Sequence, residues 1–149
     1  MQPYLGFIGY WLGQIRSKRM KVYLIDDDID DQEIFRMALA GIDDGIVCAT
    51  ANDGYEAIRS LSDEQTTPPE YIFIDVNMPK MNGIQCLKEL KQLAHLKDTR
   101  MFMFSTSEEF NIAKRCNELG AADFIVKPSS VDSLTNVLLN LLQFRKARP

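Results

Sequence analysis

The stretch that most constrains this chain is Tyr71-Ile72-Phe73-Ile74-Asp75-Val76-Asn77-Met78-Pro79, an apolar run that stops on a single carboxylate. Four consecutive apolar residues predict a strand covered on both faces, because a strand with one wet face alternates. Pro79 cannot extend a ladder and Asn82-Gly83 is a turn signal, so Asp75 falls at the carboxyl end of a central strand, facing the loops. In an open α/β sheet that edge is where ligands bind.

The rest of the chain alternates strand and helix around it. Val22-Tyr23-Leu24-Ile25 predicts a first strand, and Ile34, Phe35, Ala38, Leu39 and Ile42 then recur at helical spacing until Gly41 and Gly45 interrupt them. Ile46 to Ala49 reads as a second strand, Asp53 as an N-cap, and Ala57, Ile58 and Leu61 as the inner face of a second helix. Ser62 to Pro69 is a polar loop. After the third strand, Ile84, Leu87 and Leu90 give a third helix its buried stripe. Met101 to Phe104 makes a fourth strand, and Ile112, Cys116 and Leu119 line a helix stopped by Gly120. Ala122 to Val126 is the fifth strand, and Ser129 with Asp132 offers a capping-box start to a last helix carrying Leu134, Val137, Leu138, Leu141 and Leu142. Five βα repeats call for a parallel sheet with helices on both faces and right-handed crossovers.

At 149 residues the chain has the length of one domain, which buries about two-thirds of its unfolded surface. The formal net charge of -4 gives no reason to expect direct contact with nucleic acid. Cys48, Cys86 and Cys116 are far apart, lie in apolar patterns and form no C-x-x-C, which predicts buried free thiols in a reducing compartment, the cytoplasm, with no disulfide and no zinc. Residues 1–20 do not match the rest: they are aromatic and Gly-rich, with Arg16, Lys18 and Arg19 after the apolar part, the wrong order for a signal peptide. That part is also short of the roughly 20 apolar residues a membrane span needs. It reads as an extension ahead of a start at Met20, as a membrane-surface or partner-binding segment, or as a helix packed on the domain. The division is therefore an N-terminal extension over 1–20, one domain over 21–145 and a basic tail over 146–149.

The chemistry collects at the strand ends. The first strand also ends in acids, Asp26-Asp27-Asp28, so if strands one and three are neighbours they bring Asp26, Asp27 and Asp75 into one pocket. Crowded carboxylates repel unless something positive sits among them. Oxygen ligands select a hard cation, and a small octahedral site with bonds of about 2.1 Å suits Mg²⁺. Lys127, directly before Pro128, ends the fifth strand and can bring an ammonium to the same edge, while Ser105 and Thr106 can supply a hydroxyl. A carboxylate so placed can attack phosphorus and form an acyl phosphate, a reaction that needs mainly in-line positioning and charge neutralisation.

Taken singly, several residues have plainer readings. Asp28, Asp30 and Asp31 are loop and first-turn acids, favourable at a helix N-terminus. His95 reads as a surface residue, Met81, Met101 and Met103 as packing, and the Arg145 to Arg148 run as a solvated helix end.

Four segments in order, Tyr23 to Asp28, Phe73 to Gly83, Phe104 to Ser107 and Val126-Lys127-Pro128, resemble the receiver domain of two-component response regulators over residues 21 to about 145. The resemblance implies a flavodoxin-like (βα)5 doubly wound parallel sheet of strand order 2-1-3-4-5, with Asp75 as phosphoacceptor. It implies Asp27 and Asp75 as side-chain Mg²⁺ ligands, the Asn77 backbone carbonyl as another, Asp26 acting mainly through water, Lys127 on the phosphoryl group, and a cis Lys127-Pro128 bond. Register from Lys127 and Gly120 puts the family's switch hydroxyl on Ser105, with Thr106 as the competing candidate. The switch aromatic falls on Phe124, which has no hydroxyl, so rotamer exchange there depends on packing alone. Asn77 and Ser107 occupy the positions that tune phosphoryl lifetime in the family.

The expected function is that of a single-domain, chemotaxis-regulator-like response regulator. It would take a phosphoryl group from a histidine kinase or phosphotransfer protein onto Asp75 with Mg²⁺. It would then signal to a downstream protein through the face of the fourth helix, fifth strand and fifth helix, with dimerisation left open. Two rivals stand beside it. A Mg²⁺-dependent aspartyl-phosphate phosphatase or phosphotransferase of the dehalogenase type would need D-x-D, where this chain has Asn77. A degenerate receiver would bind partners without phosphorylation, against which the intact acid, hydroxyl and lysine set argues.

Overall fold

The computed structural model describes residues 19–146. The expectations for the N-terminal extension and the basic tail lie outside the described residues or on side chains not described. Five strands, β1 (Lys21–Ile25), β2 (Val47–Ala51), β3 (Tyr71–Asp75), β4 (Arg100–Ser105) and β5 (Asp123–Val126), alternate with five helices. The helices are α1 (Ile29–Ile42), α2 (Gly54–Leu61), α3 (Gly83–Lys91), α4 (Phe110–Glu118) and α5 (Val131–Lys146), and a 3-10 turn, Ala94–Leu96, precedes β4. All strands pair in parallel, in the order β2-β1-β3-β4-β5, as the flavodoxin-like reading expects.

β3 is central and buried at every position, which is why its sequence does not alternate. Side chains leave a strand on alternate faces, so β3 divides the core in two. Ile72 and Ile74 join Met101, Met103, Leu87, Leu90 and Cys116 under α2, α3 and α4. Tyr71 and Phe73 join Phe102, Phe104, Phe35 and Leu138 under α1 and α5. On the second side the rings stack, Phe73 lying 5.2 Å from Phe102 and 5.3 Å from Phe104, with Phe35 edge-on to Phe73 at 5.1 Å. This aromatic layer supports the strand ends from which the acids emerge.

Local signals explain where most elements begin and end. The Asp28 carboxylate accepts from the N–H groups of Asp30 and Asp31 and caps α1, and Asp53 caps α2 through the Glu56 N–H. Asn82 and Gln85 form a capping box at α3. After α4, Gly120 takes φ +98°, and bonds from Gly120 N to Asn117 O and Ala121 N to Cys116 O close a Schellman motif.

Several expectations about the elements need correction, and β5 begins at Asp123, one residue after the expected Ala122. α1 continues through Gly41 to Ile42, its apolar stripe outweighing one glycine. The edge strand β2 runs Val47–Ala51, because its outer positions are half-exposed and give a weaker apolar signal than Ile46 to Ala49 suggests. α5 starts one residue later than a Ser129 cap requires, and the Ser130 hydroxyl accepts from the Ser133 N–H at 3.1 Å. Cys48 lies on that edge strand, half-buried, where burial still pushes its thiol up to about 11. His95 is half-buried, its Nε2 2.7 Å from the Leu61 carbonyl, and ties the turn before β4 to the end of α2. Among the described residues no helix is long and apolar enough to cross a membrane.

Candidate functional site

The order β2-β1-β3 reverses the direction of winding between β1 and β3, and in such sheets the crevice beyond the strand ends is open to ligands. Asp26 leaves β1 there and Asp75 ends β3. Backbone bonds fix both: Asp26 N donates to Ala51 O at 3.1 Å, and Val76 N to Phe104 O at 2.8 Å. Gly83 N donates to Val76 O at 2.9 Å, folding α3 back against the end of β3. A Cβ on Gly83 would meet the Asp75 carbonyl oxygen and stand 2.8 Å from Val76 Cα, so only glycine permits this approach. Between them the chain turns sharply at Lys80, whose φ of 68° is rare for a residue with a side chain, and Met81 N bonds back to Pro79 O.

One oxygen from each of Asp26, Asp27 and Asp75 lies within 4.8 Å of the others, with Asp26 and Asp75 buried and Asp27 exposed. The Lys127 Nζ sits against them. It donates to Asp26 Oδ2 at 2.8 Å and to Asp31 Oδ2 at 2.9 Å, and lies 3.6 Å from Asp75 Oδ1. The Lys127 backbone N–H is tied to Ser105 O at 2.7 Å. The Lys127-Pro128 bond is trans, since no cis peptide occurs among the described residues. That corrects the cis expectation and follows the intrinsic preference of about 0.5–1 kcal/mol.

Electrostatics follow from this packing. Burial pushes the Asp75 carboxyl up to about 6, with Asp26 and Asp27 adding to the rise and Lys127 and the Asn77 N–H opposing it. Burial also raises Asp26, against the pull of the Lys127 hydrogen bond. Burial alone would lower Lys127, but the hydrogen bonds it donates to Asp26 and Asp31 outweigh that, so the ammonium stays charged. One ammonium cannot balance Asp26, Asp27, Asp31 and Asp75, and the surplus of negative oxygen donors fits a hard divalent cation.

The other predicted residues are placed less uniformly. Asn77 is exposed and its N–H reaches Asp75 Oδ1 at 3.3 Å. Ser105 is buried at the end of β4, one residue beyond Phe104, the partner of Asp75 in the ladder, and its Oγ accepts from Ser107 N at 3.2 Å. Thr106 is exposed and lines a cavity of about 330 Å³ with Asp31, Lys127 and Ser129. Phe124 is half-buried in a groove of about 450 Å³ between α4 and β5, beside the exposed Phe110 and Val126.

Two residues at the site escape sequence reasoning. Asp28 and Asp30 are the loop and first-turn acids expected, but Asp31 is a partner of Lys127. Its signal is position, one helical turn after Asp27, and that gains meaning only once Lys127 is known to arrive there. Gln32 is buried, and its amide donates to Asp26 O at 2.7 Å and Asn52 Oδ1 at 2.8 Å, joining the ends of β1 and β2.

These features define a flavodoxin-like α/β protein with an acidic site at the switch point of its sheet. Residues 22–139 match the response regulator receiver domain, and the chain belongs to that family, whose general function is phosphorylation on an aspartate. A curated relative, the probable C4-dicarboxylate response regulator DctR of Bacillus subtilis, is 29% identical over 129 residues, 87% of this chain and 55% of that protein. The chain thus spans about half the length of that relative. Among solved structures it is similar to the chemotaxis protein CheY4 of Vibrio cholerae, with TM-score 0.70 and 28% identity over 82% of this chain and 98% of that one. It is also similar to a chain of the CheX-CheY-BeF3-Mg²⁺ complex from Borrelia burgdorferi, with TM-score 0.70 and 26% identity over 83% and 89% of the two chains.

Proposed function

We propose that Asp75 is the phosphoacceptor of this receiver, taking a phosphoryl group from a phosphohistidine on a histidine kinase or phosphotransfer protein. The observation that carries this is the buried Asp75 carboxylate at the switch point, 3.6 Å from an ammonium and grouped with two further acids. In the transfer an Asp75 oxygen forms a bond to phosphorus while the bond from phosphorus to the donor nitrogen breaks, and that nitrogen keeps the electron pair. The product is an acyl phosphate. Mg²⁺, held by Asp27 and Asp75 with the Asn77 carbonyl and with Asp26 at the edge, would neutralise charge on the phosphoryl oxygens. Lys127 supplies a positive charge beside the same carboxylate, 3.6 Å from Asp75 Oδ1. The Asn77 N–H donates to the Asp75 carboxylate at 3.3 Å and helps to orient it.

The phosphoryl group adds about 1.5 to 2 negative charges and new acceptor oxygens beside Ser105 and Thr106. A hydroxyl drawn inward lets Phe124 repack, and the face of α4, β5 and α5 changes for a downstream protein. The exposed Phe110 and Val126 flanking Phe124 support this, because a partner gains from covering apolar groups that move with the site. The domain acts as acceptor and switch and is no enzyme toward outside substrates, since Asn77 stands where a phosphatase of the D-x-D type needs an acid.

Incubation with Mg²⁺ and phosphoramidate, followed by intact mass measurement, tests the reading. One hydroxylamine-labile phosphoryl adduct per chain is expected, absent from Asp75→Asn. A wild-type protein that acquires none contradicts it.

A further inference from the structure

The Lys127 ammonium is not seated on Asp75. Its two short contacts, 2.8 Å and 2.9 Å, go to Asp26 and Asp31, and Asp75 lies beyond hydrogen-bond reach at 3.6 Å. The two seats differ. Asp26 has its side chain 2% exposed and its other oxygen occupied by the Asp28 N–H, whereas the Asp31 side chain is 37% exposed. Asp31 is nevertheless anchored in the first turn of α1, because the Asp28 cap accepts its backbone N–H. The cavity lined by Asp31, Thr106, Lys127 and Ser129 leaves the amine room on that side of the site.

We infer that Asp31 is a positioning residue that holds the Lys127 ammonium in a resting seat away from the phosphoacceptor, and so restrains the rate at which the protein accepts a phosphoryl group. This rests on Asp75 being the acceptor. Charge-assisted hydrogen bonds are short and strong, and the ammonium has three donors, of which Asp26 and Asp31 take two. Its third donor is still beyond hydrogen-bond reach of Asp75 at 3.6 Å, so to serve a phosphoryl group there the amine must shift toward Asp75, and the contact it gives up is the one to its more exposed partner. Asp26 stays with it in either position, because that carboxylate is buried and has no other cation within reach among the described residues. Asp31 is the partner that can be given up to water. Its carboxylate therefore stabilises the state before transfer more than the state during transfer, which slows the step without blocking it.

Asp31→Asn keeps the shape and removes the charge. With phosphoramidate at saturating Mg²⁺, its maximal phosphorylation rate is expected to rise about threefold to fivefold, the upper part of the range for a partly exposed charged pair. The phosphoramidate concentration at half-maximal rate should move less than twofold, since Asp31 acts through Lys127 and not on the donor. Asp30→Asn deletes an equal charge from the same turn without touching Lys127, and should leave both constants within twofold. Asp31→Glu restores a carboxylate within reach and should return the rate toward wild type. In ¹⁵N-edited spectra the Lys127 ammonium protons should exchange slowly in wild type and visibly faster in Asp31→Asn, a signature that a merely structural role would not produce. A maximal rate in Asp31→Asn that is unchanged or lower, or an equal rise in Asp30→Asn, overturns the inference. Absence of any adduct in wild type would instead remove the acceptor reading itself.

Discussion

Asp75 pays for its position in stability. Its folded value of about 6 stands above the ordinary 3.8, so between those values the folded chain binds more protons than the unfolded one. Stability from this group is therefore fully present below about pH 4, falls as pH rises to about 6, and stays reduced at neutral pH. Asp75→Asn removes the ionisation while keeping the shape, and should raise stability in metal-free urea unfolding at pH 7.5 by about 1 to 2 kcal/mol, with no gain at pH 4. Equal stabilities at both pH values would mean that the carboxylate is not held against a desolvation cost. Gly83 makes the opposite case: Gly83→Ala forces a methyl against Val76 Cα and the Asp75 carbonyl, and a loss of about 2 kcal/mol or more is expected in the same assay. These two residues could be found in the sequence because their neighbours mark them, an apolar run ending in one acid and an Asn-Gly turn pair beginning three residues after a proline. Asp31 could not. As a first-turn acid it is indistinguishable from Asp30 until β5 delivers Lys127 to one of them.

At the level of elements, legibility tracked burial. β3 and β4 are continuous apolar runs because both faces are covered; β3 ends at Asp75 as its sequence indicates, and β4 extends one residue beyond Met101 to Phe104 at each end, to Arg100 and Ser105. The edge strands β2 and β5 have half-exposed positions, a weaker pattern, and their ends shifted by a residue or two. The start of α5 shows why caps resist reading from sequence: Ser129 and Ser130 are chemically equivalent, and only backbone geometry selects the second. Ser130→Ala should therefore cost about 1 kcal/mol in thermal unfolding, and Ser129→Ala only a few tenths. A larger loss at Ser129 would restore the earlier start of the helix.

For the molecule as a whole, the sheet order puts the ends of β1, β3, β4 and β5 at one edge, and the acids, the hydroxyls and the ammonium arrive there together. The order itself was legible through the resemblance, while the parallel βα repeat was legible from periodicity alone. The position of the Lys127 ammonium among its partners was not, because three acids compete for it and only the packed structure ranks them. The excess of carboxylate over ammonium also predicts a ligand effect: millimolar Mg²⁺ should raise the thermal midpoint of the wild-type protein, and Asp27→Asn should abolish most of that rise. An equal rise in the variant would move the cation elsewhere. The central claim, that one buried carboxylate carries the signal, is tested most directly by locating the group. Protein phosphorylated with phosphoramidate is reduced with borohydride, which converts an aspartyl phosphate to homoserine, and the modified peptide is sequenced by mass spectrometry. Homoserine at Asp75 alone is the predicted result; homoserine at Asp26 or Asp27, or an unmodified Asp75, would contradict the account.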